Sequence, residues 1–227
     1  MTNRKMVNTN LDVEHLNKQE QHWESIFSGK PNMFGESPSD AAVKAVEIFK
    51  KEGKTNVLEI GGGQGRDTMF FAENGICVQV LDYCQSGVHA ITKKAENNAL
   101  SQLVTARCHD IRNPLPYEND SFDACFSHML YCMALTTNEL EFLSSEIKRV
   151  LKPSGLNIYT VRHTGDSDYG TGTRIGEDMY EVGGFIVHFF SKEKVRQLAK
   201  GYELVSVDEF EEGSLPRKLF RVTLRKS

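Results

Sequence analysis

The run Val57-Leu58-Glu59-Ile60-Gly61-Gly62-Gly63-Gln64-Gly65-Arg66-Asp67 constrains this chain more than any other segment. An apolar, strand-like stretch carries one acid, then glycines at 61, 63 and 65, then a polar helix start. Glycine takes positive φ without strain and lets another group come close to the main chain. A glycine turn between strand and helix is where open α/β sheets bind nucleotides. The spacing narrows the choice. A dinucleotide fingerprint, G-x-G-x-x-G, would need its third glycine at Arg66, which disfavours a nicotinamide oxidoreductase.

The rest of the chain alternates in period. Residues 11–28 carry Leu11, Val13, Leu16, Trp23, Ile26 and Phe27 at loosely helical spacing. Ser37-Pro38-Ser39-Asp40 opens a second helix that Gly53 ends. Strands are expected at 56–60, 76–81, 103–109, 122–127 and 156–161. Helices are expected between them at 66–74, 86–97 and 138–151, the last stopped by Lys152-Pro153-Ser154-Gly155. This alternation predicts a parallel sheet with helices on both faces. Residues 165–184 break the rhythm with glycine, Asp, Ser and Thr and read as a long loop, a candidate lid. A helix at 192–200 and two strands at 202–210 and 219–224, joined by a hairpin, close the chain.

Composition bounds the partners. The 227 residues suit one α/β domain, with 1–50 as an N-terminal helical cover and 165–190 as the lid. The net charge of -4 and the lack of a Lys/Arg cluster argue against a broad nucleic-acid surface. The polar start Met1–Asn10 does not resemble a signal peptide, and no apolar run has the ~18 residues of a membrane span. A cytoplasmic protein is expected. Five cysteines without a C-x-x-C pair fit neither a disulfide framework nor a zinc ribbon, and the histidines show no ligand spacing, so no metal is expected.

The motif Glu59-x-Gly61-x-Gly63-x-Gly65 resembles the first motif of class I S-adenosylmethionine-dependent methyltransferases. The resemblance spans roughly 55–161 by motif and the remainder by element order. It implies a Rossmann-like, seven-stranded, mostly parallel sheet whose last strand is antiparallel. It also implies S-adenosyl-L-methionine as cofactor. By that resemblance Gly61, Gly63, Gln64 and Gly65 lie against the methionine part, with Glu59 orienting it. Asp82 accepts the ribose hydroxyls, and Tyr83 packs on adenine. Asp110 bonds the adenine amino group, Ile111 packs on the ring, and Ser127 with His128 forms the lip after the fourth strand. Arg66 is a candidate for the cofactor carboxylate, and Asp67 reads as a helix cap.

The branch that looks closest is that of small-molecule, thiol and tellurite-resistance methyltransferases, in which a loop such as Asn32-Met33-Phe34-Gly35 helps cover the cofactor. An acceptor is therefore expected to be a small molecule. Ser127-His128-Met129-Leu130 stands where base-amino methyltransferases carry Asn/Asp-Pro-Pro-aromatic, so no nucleic acid is expected. Oligomeric state is left open. Methyl transfer needs an aligned acceptor, and a base only where a proton must leave. His128 is the leading candidate base, since histidine titrates near ~6.5. Tyr131 and His163 are the further catalytic candidates. An S-adenosylmethionine-binding module serving a protein partner is the alternative.

Overall fold

The computed structural model describes residues 13–213 and 217–227; the hairpin tip and the start of the chain, with the reading made for Met1–Asn10, lie outside the described residues. Helices α1 (Val13–Gly29) and α2 (Asp40–Glu52) precede the first strand. An alternating series follows: β1 (Asn56–Ile60), α3 (Arg66–Glu73), β2 (Cys77–Asp82), α4 (Gln85–Asn97), β3 (Val104–Cys108), β4 (Phe122–His128), α5 (Thr137–Val150) and β5 (Leu151–Arg162). Then come β6 (Thr173–Gly176), β7 (Met179–Val182), β8 (Phe185–His188), α6 (Lys192–Leu198), β9 (Tyr202–Glu212) and β10 (Arg217–Lys226).

Seven strands form one sheet in the order β3-β2-β1-β4-β5-β10-β9. β1 pairs in parallel with β2 and β4, β2 with β3, and β4 with β5. β10 runs antiparallel to both its neighbours. This is the expected sheet, including its reversed last strand. Strand alternation splits the core in two. On one face Leu58, Ile60, Tyr159 and Val222 pack on Leu140, Leu143 and Ile147 of α5 and Val195 of α6. On the other, Val57, Val78, Val80 and Phe126 pack on α2, α3 and α4 through Phe49, Phe71 and Ile91.

Local signals set the helix ends. Ser39 caps α2, and Gly53 closes it with φ 65°. Thr136 and Glu139 form a reciprocal capping box on α5. Two glycines of the motif are required sterically. A Cβ at Gly62 would lie 2.4 Å from Val80 Cγ1, and Gly65 starts α3 at φ 86°.

Two expectations change. The turn Lys152–Gly155 does not precede the fifth strand but lies inside β5, where the β4–β5 register slips. Residues 165–184 are not a loop throughout. β6, β7 and β8 form a separate three-stranded antiparallel sheet. Its strands have four residues each and its second turn is Gly183-Gly184, so the composition reads as coil.

This small sheet binds the cover to the body. Gln19 of α1 donates from Nε2 to the Gly184 carbonyl at 3.1 Å and accepts from the Ile186 amide at 3.2 Å. Trp23 packs on Phe185, with ring centroids 4.8 Å apart. At the other end Glu177 accepts from the amide and hydroxyl of Thr137, both at 2.6 Å.

Candidate functional site

The carboxyl ends of β1, β2 and β3 open into one cleft at the sheet edge where α/β folds bind ligands. Its walls bring together Gly61, Asp82, Tyr83, Asp110 and Ile111, residues drawn from three successive strand ends. α1 forms the opposite wall with Leu16, Asn17 and Glu20. Those helix residues carry no sequence signal beyond a helical period, which does not say which polar side turns inward.

Asp82 ties β2 to the glycine loop. Its Oδ2 accepts from the Gly63 amide at 2.8 Å, and its Oδ1 from the Cys84 amide at 2.9 Å. Burial raises its pKa to about 6 despite these two donors. Glu59 is also buried, and its carboxyl accepts from the Thr68 hydroxyl. Burial, with the nearby Asp67 charge, raises its pKa to about 8. Asp67 itself accepts from the amide and hydroxyl of Ser39 at 2.7 and 2.8 Å and so fastens α2.

Asp110 is held by Arg112, whose Nη2 donates to Oδ2 at 2.6 Å. Burial works against ionisation there, but the guanidinium overrides it and holds the carboxyl below its usual range. Arg112 also reaches Asn17 of α1. Tyr83 lines the cleft, and burial pushes its phenol upward.

Gln64 is spent on the cover. Its Oε1 accepts from the Met33 amide at 2.7 Å, and its Nε2 donates to the carbonyls of Phe27 and Lys30 at 3.2 and 2.9 Å. Arg66 donates to the Phe34 carbonyl and to Glu212, both at 3.3 Å. Neither residue lines the cleft.

At the end of β4, Ser127 is fully buried and its hydroxyl has no partner among the described residues. His128 Nδ1 lies 2.9 Å from Thr160 Oγ1, and its Nε2 lies 3.3 Å from Glu212 Oε2. Burial lowers the pKa of its ring. None of Ser127, His128, Tyr131 and His163 lines the cleft. Tyr131 is fully buried, stacked on Tyr159 with centroids 4.2 Å apart, and its hydroxyl accepts from Asn157 at 3.1 Å. His163 stacks on Phe220 at 4.4 Å, and its Nδ1 accepts from the Gly165 amide at 3.0 Å. Cys132 is buried, and its thiol pKa rises to about 11. Among the described residues no His/Cys/Asp/Glu cluster could hold a metal, and no helix is long and apolar enough to cross a membrane.

The cleft residues fit an adenosyl ligand. His109 lines it with a buried Nε2 that lacks a hydrogen-bond partner, and buried polar atoms are rarely left so. The buried acids Glu59 and Asp82 beside the loop suit a ligand with cationic groups.

Residues 57–155 match the profile of a family described as a methyltransferase domain. Over 103 residues the chain is 34% identical to phosphoethanolamine N-methyltransferase 3 of Arabidopsis thaliana, covering 44% of this chain and 20% of that one. It thus spans about a fifth of that relative's length. Among solved structures it resembles the 1,6-didemethyltoxoflavin-N1-methyltransferase of Burkholderia thailandensis, with 18% identity and a TM-score of 0.74 over 100% of this chain and 93% of that one. That structure holds 1,6-didemethyltoxoflavin and S-adenosylhomocysteine. TehB from Haemophilus influenzae matches at 19% identity and a TM-score of 0.67, over 90% of this chain and 67% of that one.

Residues 57–155 thus resemble a methyltransferase domain, and the whole chain has the fold of S-adenosylmethionine-dependent methyltransferases of known structure. Solved structures of this fold bind S-adenosylhomocysteine, the product of S-adenosylmethionine.

Proposed function

We propose that this protein transfers a methyl group from S-adenosylmethionine to a small-molecule acceptor. The observation that carries the reading is the single wall formed by Gly61, Asp82, Tyr83, Asp110 and Ile111 beneath α1. When bound, the cofactor supplies an electrophilic methyl group on a sulfonium. Asp82, beside Gly63, is positioned for the ribose hydroxyls, and Tyr83 with Ile111 for the adenine faces. Asp110 meets the adenine edge together with Arg112 and Asn17.

The acceptor side lies beyond β4. There the loop after His128 meets the small sheet, where the His188 amide donates to the Cys132 carbonyl at 2.9 Å. α1 and the small sheet share a small apolar core of Leu16, Met179 and Ile186, which roofs this edge. A roof of this kind suits an acceptor small enough to be enclosed, and it excludes water from the transfer. Alignment then does most of the work. If the acceptor atom carries a proton, His128 would be the base that takes it up when that atom is methylated. The compound names of the similar proteins point the same way, toward nitrogen on small molecules.

The test is S-adenosylhomocysteine release from labelled S-adenosylmethionine across pooled amines, thiols, phenols, carboxylates and metalloid oxyanions. Release with one pool supports the enzyme and names the acceptor atom. Tight cofactor binding without release from any pool would favour a cofactor-binding module that serves a partner.

A further inference from the structure

A four-residue polar chain crosses the sheet edge beside the glycine loop. Thr160 of β5, His128 of β4, Glu212 of β9 and Arg66 of α3 follow one another at 2.9, 3.3 and 3.3 Å. The Met129 amide donates to Thr160 Oγ1 at 3.0 Å, which leaves the hydroxyl proton free to point at His128 Nδ1. A carboxylate facing Nε2 repels a lone pair there and attracts an N–H. The neutral ring is therefore the Nε2–H tautomer, with its lone pair on Nδ1.

We propose that Glu212 is a positioning residue for His128, fixing its tautomer and stabilising the imidazolium formed when the ring takes up a proton. Uptake occurs at Nδ1, and the Thr160 hydroxyl turns from donor to acceptor. The role resembles that of any carboxylate that orients a histidine base. Other charges around the ring are Asp67 and Arg66 on α3 and Arg217 on β10. Asp67 is bonded to Ser39, and Arg66 already shares the Glu212 carboxylate. Asp67 acts on the ring more strongly than Glu212 does, but Glu212 Oε2, buried and with no other partner among the described residues, is the carboxylate oxygen that lies 3.3 Å from Nε2. Nothing in the sequence marks Glu212, one of several acids in the run Asp208-Glu209-Phe210-Glu211-Glu212. The consequence for turnover rests on the methyl-transfer reading; the consequence for the ring does not.

The test is long-range ¹H–¹⁵N NMR of the histidines in the full chain, with His128 assigned from its loss in His128→Asn. The expected wild-type ring is Nε2–H. In Glu212→Gln its titration midpoint falls by about one unit, a tenfold loss of protonated ring at a given pH. In the wild-type chain the Glu212 carboxyl carbon shows a second inflection at the His128 midpoint, a readout that needs no variant to fold. An Nδ1–H ring, an unmoved midpoint, or a carboxyl signal blind to His128 would each overturn the proposal. With an identified protic acceptor, Glu212→Gln moves the acid limb of the kcat profile to lower pH. Absence of all transfer would count against the enzyme reading and leave the NMR result to decide this one.

Discussion

The Met33 amide donates to Gln64 Oε1 at 2.7 Å, so a side chain of the glycine loop holds the N-terminal cover. Gln64 Nε2 in turn donates to the carbonyls of Phe27 and Lys30 around the end of α1. Gln64→Ala removes all three bonds, each worth about 1 kcal/mol net. The expected result is faster amide exchange over 13–36, by about tenfold or more, with the sheet unchanged. Equal exchange in both proteins would show that α1 is held by its apolar contacts alone.

Asp82 accepts from Gly63 and Cys84 and faces the cleft. Asp82→Ala is expected to weaken S-adenosylhomocysteine binding by about 1–3 kcal/mol, the scale for hydrogen bonds to a charged group. Calorimetry measures this directly. An unchanged Kd would take Asp82 out of the ribose site.

Glu59 gives a pH dependence whose sign is fixed. Burial raises its pKa from 4.5 to about 8, so the folded chain keeps this proton longer than the unfolded one. Its contribution to stability is full below the unfolded pKa and is lost as pH rises through the folded one. The Tm of ligand-free protein should therefore fall between about pH 5 and 8, and Glu59→Gln should flatten that fall. Parallel Tm profiles for the two proteins would assign the slope to other groups. A bound cation favours ionised Glu59, so cofactor protection should grow over the same interval.

Tyr131 and His128 are three positions apart and are expected to behave oppositely. Tyr131→Phe leaves Asn157 Nδ2 without its acceptor in the core and should cost about 1–3 kcal/mol of stability while turnover persists. His128→Ala should impair turnover more than cofactor binding. Urea unfolding and steady-state kinetics on both variants separate the two roles. A Tyr131→Phe protein of normal stability and no turnover would return Tyr131 to the reaction.

The sheet and its glycine-loop edge were legible in the sequence because each signal is local. Glu59 and the glycines lie within seven consecutive residues, and only glycine fits at Gly62 and Gly65. Strand and helix periods gave the element order through β5, and the last two strands emerged as a hairpin. The three-stranded sheet escaped notice because its strands are too short to show a period.

What the side chains do was settled only by contacts between distant residues. Arg66 meets Glu212 across 146 positions, and Gln19 meets Gly184 across 165. Sequence period tells which residues share a face, not which element will cover that face. So the sequence by itself determined a nucleotide-binding α/β sheet with its acids at the strand ends. Tertiary packing decided that Gln64 and Arg66 bond to the cover, that Tyr131 stacks on Tyr159 and His163 on Phe220, and that α1 lines the cleft. The physical reason is that a polar side chain takes whichever partner the assembled fold brings within hydrogen-bond reach, since leaving it buried and unpaired costs more than any local preference.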